Sequence, residues 1–259
     1  MSIEVKTKGK NYGTCSICEE KNKRMSKDHI PPQCCGNKGR FVFTRLIKEE
    51  RLPQELIAQN GITFHYICKE CNNFMGLNYD NELACFRYLF FELIEKGTSD
   101  VTIDFNKVAK CIVGHFLASY EYCDSVVQNR LRAFFNDTEK KNELLENYSL
   151  YCYLYPYEKN LFILNEYYSY SFTKDKKDDG FYSSLYFYPF AFLLAEKNKF
   201  GTRSDILYCI KNDTPFIALS KDWQDGEKFK SPIWPADVNN SKGIMVGYSA
   251  KSCVIVKNN

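Results

Sequence analysis

The chain has 259 residues and a mass of 30.3 kDa, with 44% hydrophobic residues, 26% charged residues and a net charge of +3. This is the composition of a globular protein with a buried core, and it excludes a disordered chain and a collagen-like repeat. Its most apolar stretch, Phe187 to Ala195, is shorter than the ~20 residues of a membrane helix and is interrupted by Pro189. The N-terminus, MSIEVKTKGK, has no apolar secretory core, so a cytoplasmic protein without a membrane segment is expected.

Charge is unevenly spread. Residues 1–48 carry eleven Lys/Arg against four Asp/Glu, a local net of +7, which leaves −4 for residues 49–259. Such a segment either meets a polyanion first or is a solvated basic surface.

Twelve cysteines are many for a reducing compartment, where metal binding is the more natural use than a disulfide framework. Cys15 and Cys18 form one CxxC, Cys68 and Cys71 a second, with forty-nine residues between the pairs. Two such turns can bring four sulfurs onto one tetrahedral zinc, whereas a single CxxC would equally suit a redox pair. Asn11 to Gly13 leads into the first pair, and Lys69 and Glu70 are the polar residues inside the second. Cys34 and Cys35, adjacent in a Gly-rich loop, are either substitute ligands or spare thiols. Cys85, Cys111, Cys123, Cys152, Cys209 and Cys253 sit among apolar residues and are expected to be small buried hydrophobes.

Between the pairs lies Ser26-Lys27-Asp28-His29-Ile30-Pro31-Pro32, holding one of the three histidines of the chain. A neutral imidazole at His29 can take a proton from water, and the Asp28 carboxylate offers a hard oxygen to a divalent cation. A lone Asp-His pair is more often surface polar structure, so its setting decides its meaning. The second pair is followed at once by Asn72 and Asn73 and by a segment able to form a helix. Within it, Leu83, Phe86, Phe90, Leu93 and Ile94 recur at helical spacing, Asp80 is placed as an N-cap and Gly97 as a stop.

The order C-x-x-C, D-H-I-P-P, C-x-x-C-N over residues 12–95 resembles the zinc-stabilised branch of the HNH endonucleases. That resemblance implies a ββα-metal nuclease domain that hydrolyses DNA phosphodiesters, with RNA as an open alternative. It implies His29 as the general base and Asp28 and Asn72 as ligands of a catalytic Mg2+ or Mn2+. The structural zinc would be a separate ion on Cys15, Cys18, Cys68 and Cys71, because thiolates select zinc and oxygens a hard cation. The family's loop-ordering asparagine has no counterpart in the segment Ile62 to Ile67, where Thr63 or His65 is the candidate for its role. Asp80 is the other acidic candidate ligand, reachable only if the helix breaks near Gly76, and Asn73 adjoins the site. Lys21, Lys23, Arg24, Lys27, Lys38, Arg40 and Arg45 are the residues expected to guide a phosphate backbone.

Beyond residue 97 the composition shifts, so the chain divides into residues 1–97, the nuclease domain, and residues 98–259, an α+β domain for target selection, sensing or partner binding. Val108, Cys111, Ile112, His115 and Ser119 share one helical face, which makes His115 a core histidine rather than a ligand. One or two helices are expected between Asp124 and Tyr148, with Val127, Leu131, Phe134 and Phe135 apolar. Strands follow at Tyr151–Tyr155, Leu161–Leu164, Tyr182–Ala195, Ile206–Ile210, Phe216–Leu219 and Ile244–Val256, with an exposed hairpin loop at Lys174–Gly180. The whole is thus α+β, its C-terminal part mainly antiparallel. The aromatic residues here, Trp223 and Trp234 among them, suit either a sheet core or a pocket for an extruded base. A homodimer or protein partner through this part, and a role in restriction or anti-phage defence, complete the expectations. A nucleic-acid-binding module without cleavage and a CxxC redox protein are the alternatives.

Overall fold

The computed structural model describes residues 11–44, 55–96, 102–137, 143–155, 160–169, 180–196, 205–212 and 252–258. It begins with an antiparallel hairpin of β1 (Tyr12–Gly13) and β2 (Lys23–Arg24), whose loop carries Cys15 and Cys18. Next, β3 (Asp28–His29) pairs antiparallel with β6 (Thr63–Phe64), setting Asp28 opposite Phe64 and His29 opposite Thr63. Between them lie a 3-10 turn at Gln33–Cys35, β4 (Phe41–Thr44) and β5 (Glu55–Ala58). The chain then enters α1 (Lys69–Met75), where the Cys68 sulfur caps the helix by accepting from the Cys71 amide.

No break follows Gly76. A π turn at Gly76–Asp80 carries α1 straight into α2 (Asn81–Lys96), so Asp80 is no N-cap, contrary to the sequence expectation. The wider turn spares the helix an interruption while changing the direction in which Asp80 points, and such turns are frequent at functional positions. The periodicity itself is realised: Leu83, Phe86 and Phe90 are buried.

Helix α3 (Phe105–Ala118) starts at Asp104, whose carboxylate accepts from the Asn106 and Lys107 amides. Its predicted face, Val108, Cys111, Ile112, His115 and Ser119, is buried. Gly114 permits its close approach to α1, since a Cβ there would come within 2.8 Å of the Met75 and Phe135 side chains. The segment from Asp124 to Tyr148 forms two helices, α4 (Val126–Asn136), capped by Ser125, and α5 (Glu143–Asn147). Buried Arg132 on α4 donates to the Ser16 carbonyl, and Ser16 donates to the Tyr120 carbonyl, so residues from both sides of position 97 hold the first cysteine turn.

The remaining strands are β7 (Tyr148–Leu154), β8 (Asn160–Ser169), β9 (Gly180–Phe187), β10 (Phe190–Glu196) and β11 (Ser252–Asn258). They form one antiparallel sheet in the order β5-β4-β11-β8-β9-β10-β7, so the mixed α+β class is observed and two N-terminal strands join the C-terminal sheet. Strand β10 is buried along almost its whole length, which explains its unbroken apolar sequence. Phe86 of α2 stacks on Phe190 at a centroid distance of 4.5 Å, joining the helices to the sheet. With Phe187 and Phe192 also buried, these aromatics are sheet core.

One expected strand is a helix. Residues Ile206–Asn212 form α6 because the buried Asp205 carboxylate accepts from the Leu207 and Tyr208 amides, a helix cap that the apolar run conceals, and from Leu150 of β7. Among the remaining cysteines, Cys111, Cys152 and Cys209 are buried as expected, but Cys85 is exposed and Cys123 half-buried. Arg45, Gly97, Lys174–Asp179, Phe216–Leu219, Trp223 and Trp234 lie outside the described residues, as does residue range 244–251 of the last expected strand. No helix among the described residues is long and apolar enough to cross a membrane.

Candidate functional site

The four cysteines converge. Each sulfur of Cys15, Cys18, Cys68 and Cys71 lies within 4.8 Å of the other three, and Cys18 and Cys68 are 3.9 Å apart. Zinc–sulfur bonds of about 2.3 Å in a tetrahedron place neighbouring sulfurs about 3.8 Å apart, so the cluster has the dimensions of a zinc site. Backbone amides support the sulfurs: Cys68 N–H donates to Cys15 Sγ at 3.3 Å and Cys71 N–H to Cys68 Sγ at 3.4 Å. The first turn needs Glu19 at a positive φ of 64°, and its amide closes onto the Cys15 carbonyl. Without a cation the thiols titrate unequally. A hydrogen bond from Cys71 holds Cys15 down to about 5, while burial pushes Cys68 up to about 12. Cys71 is pushed up as well, through its hydrogen bond to Cys15 and then by burial.

The cluster fixes the segment that follows it. Ser26 N–H bonds the Ile67 carbonyl and Met25 bridges Cys68, which positions β3 beside the start of α1. Adjacent strand residues point to opposite faces, and here the two members of the Asp-His pair separate. His29 turns outward and is partly exposed. Its Nε2 lies 3.0 Å from the Asn60 carbonyl and 2.9 Å from the Gln33 amide nitrogen. A carbonyl can only accept, so donation to Asn60 puts the proton on Nε2 and leaves the lone pair on Nδ1, a tautomer that requires the Gln33 amide to be turned over so that its oxygen replaces its nitrogen beside Nε2.

Asp28 turns inward, 3% exposed, and its Oδ2 lies 3.3 Å from His115 Nδ1. Asn72, on the first turn of α1, donates from Nδ2 to Ser26 Oγ at 2.7 Å and to the Lys27 carbonyl at 3.1 Å. With both amide protons committed, its Oδ1 is the atom left for a cation. Asn73 is exposed, Thr63 contributes the backbone pairing opposite His29, and burial lowers the pKa of half-buried His65. Lys21, Arg24, Lys27, Lys38 and Arg40 are exposed, and Lys23 is paired with Glu20 at 2.8 Å.

Loop order comes from two asparagines that the sequence did not single out. The buried Asn37 side chain donates to the carbonyls of Pro31 and Ile62 and accepts from the Ile62 amide, all at 2.7–2.8 Å. It thereby joins the loop after His29 to the loop that offers the Asn60 carbonyl. The only local signal was the turn dipeptide Asn60-Gly61. Gly61 has φ +85°, and a Cβ there would stand 2.4 Å from the Asn37 carbonyl oxygen. Gly61→Ala is therefore expected to destabilise the protein by about 3 kcal/mol, from left-handed backbone strain and the forced shift of Asn37. Denaturant unfolding of this variant beside the native chain measures the difference.

Around His115 the surroundings are polar, although the helix face was expected to be apolar core. Asp80 Oδ1 lies 3.6 Å from its Nε2, and the Cys111 thiol points to the same Asp80 oxygen at 3.4 Å. Burial alone would favour the neutral imidazole, but Cys111, Asp28 and Asp80 outweigh it and hold His115 well above the ordinary range. Burial likewise raises Asp80, but the pairing with His115 outweighs this and leaves its pKa lowered. Comparison of the chain with models of known families, with curated proteins and with solved structures finds no match in any of the three.

Proposed function

We propose that residues 12–95 act as a metal-dependent endonuclease of HNH type on DNA, built on a zinc-stabilised ββα-metal arrangement. The observation that carries this reading is the placing of His29: outward on β3, its Nε2 on the Asn60 carbonyl, beside a helix that starts from the four-cysteine cluster and presents Asn72. The order β3, β6, α1 supports the ββα assignment. Nδ1 of His29 takes the proton of the attacking water, and the exposed cations of the first forty residues hold the phosphodiester backbone without reading its bases.

Asn72, with the Asp28 oxygen that does not face His115, would hold the divalent ion, which when bound would offset charge on the scissile phosphate and leaving oxygen. The donor set fits a hard cation: a carboxylate and a carboxamide oxygen whose amide protons are already used. Zinc on the four cysteines keeps the hairpin and α1 in register. Convergence of all four sulfurs on one centre favours this role over a redox use of either CxxC.

Nicking of supercoiled plasmid with added Mg2+ or Mn2+, with and without chelator, tests the activity. The full chain is expected to nick only with the metal, and Asn72→Ala to need a higher metal concentration for the same rate. DNA binding without nicking at any metal concentration would replace this reading with that of a binding module, to which the inward turn of Asp28 already lends some support.

A further inference from the structure

We infer that Asp80, Cys111 and His115 form a second transition-metal site, of the zinc class, separate from the four-cysteine cluster. The ligand atoms of these three side chains lie within 4.8 Å of one another. Cys111 and His115 are one turn apart on the same face of α3, and Asp80 reaches them from the end of the π turn.

The dimensions suit a tetrahedral ion. Bond lengths of about 2.3 Å to sulfur and about 2.0 Å to nitrogen and oxygen put a sulfur and an oxygen ligand about 3.5 Å apart, and a nitrogen and an oxygen about 3.3 Å apart. The observed separations are 3.4 Å for Cys111 Sγ to Asp80 Oδ1 and 3.6 Å for His115 Nε2 to Asp80 Oδ1.

His115 supplies an independent pointer. It is fully buried, and among the described residues its Nε2 has no partner at hydrogen-bond distance, only Asp80 Oδ1 at 3.6 Å, a poorly satisfied position for a polar atom shut away from water. Its other nitrogen, Nδ1, lies 3.3 Å from Asp28 Oδ2. A carboxylate on the far nitrogen of a histidine is the support that metal-ligating imidazoles usually have, since it fixes the ring's orientation, and the proton held on the metal-free ring would leave Nε2 for solvent as the ion binds. A ligand set of one thiolate, one imidazole and one carboxylate selects zinc or a similar transition ion over Mg2+. The fourth position is left for water, as in zinc sites with three protein ligands.

This site stands whether or not the chain cuts DNA.

Zinc content of the full chain, measured after exposure to excess zinc and removal of loosely held ion, tests the inference. Two equivalents are expected in the native chain and in Asn72→Ala, and one in His115→Gln and in Cys111→Ser. Cobalt titration of the native chain adds a test independent of how the variants fold: two classes of bound ion should appear, one with four-thiolate absorption and one with that of a single thiolate. A native chain that takes up one equivalent only, with a single four-thiolate class, overturns the proposal. So does a second equivalent that survives His115→Gln, and loss of that equivalent in Asn72→Ala but not in His115→Gln would assign it to the proposed nuclease centre instead.

Discussion

His29→Ala is expected to lower plasmid nicking at least several hundred-fold, within the roughly 10²–10⁴-fold range that a positioned general base contributes. The side chain lies on the outer face of β3 and among the described residues meets the Asn60 carbonyl and Gln33, so its removal should leave the fold in place. Metal affinity should also persist, because an imidazole that only accepts a proton is not a ligand. The decisive comparison is therefore between two variants. His29→Ala should lose rate that no added metal restores, and Asn72→Ala should lose rate that metal does restore. Cleavage by His29→Ala at the native rate would place the catalytic base elsewhere.

Cys68→Ser is expected to have the largest effect on stability. Structural zinc contributes on the order of 10 kcal/mol to small zinc modules, and Cys68 is one of the four sulfurs that converge on the centre. Losing its sulfur removes a zinc ligand and with it the tie between the first cysteine turn and α1, whereas a serine hydroxyl can still cap the helix and the backbone bridge to Met25 is unaffected. Strands β1, β2, β3 and β6 should unfold well before the sheet that β4 and β5 share with β7 to β11, and prolonged chelation of the native chain should have the same effect. Elemental analysis and hydrogen exchange over residues 11–96 read the outcome. Full retention of zinc after replacement of both Cys15 and Cys68 would remove the four-cysteine assignment.

Much of the chemistry was legible because it is local. A CxxC turn dictates where its own two sulfurs go, and the two pairs required only that the chain return once for Cys15 and Cys18 to meet Cys68 and Cys71. Amphipathic spacing placed α3 and its buried face, and aromatic and β-branched runs placed β7 to β10. Misreadings arose where a polar residue redirected an apolar run, as Asp205 does in starting α6.

What only the tertiary structure decided is which distant residues meet. Asn60 is thirty-one positions from His29, and His115 is eighty-seven from Asp28. Helical periodicity can say that His115 is buried, but burial in an apolar core and burial against two carboxylates and a thiol produce the same spacing. The difference lies in the partners supplied by β3 and the π turn, elements whose approach to α3 depends on packing around Gly114 and Met75. Sequence pattern thus determined the local turns, helix faces and ligand types of this protein. Long-range packing determined which of those groups share a centre, because proximity across the fold is set by how the elements dock and not by the period of any one of them.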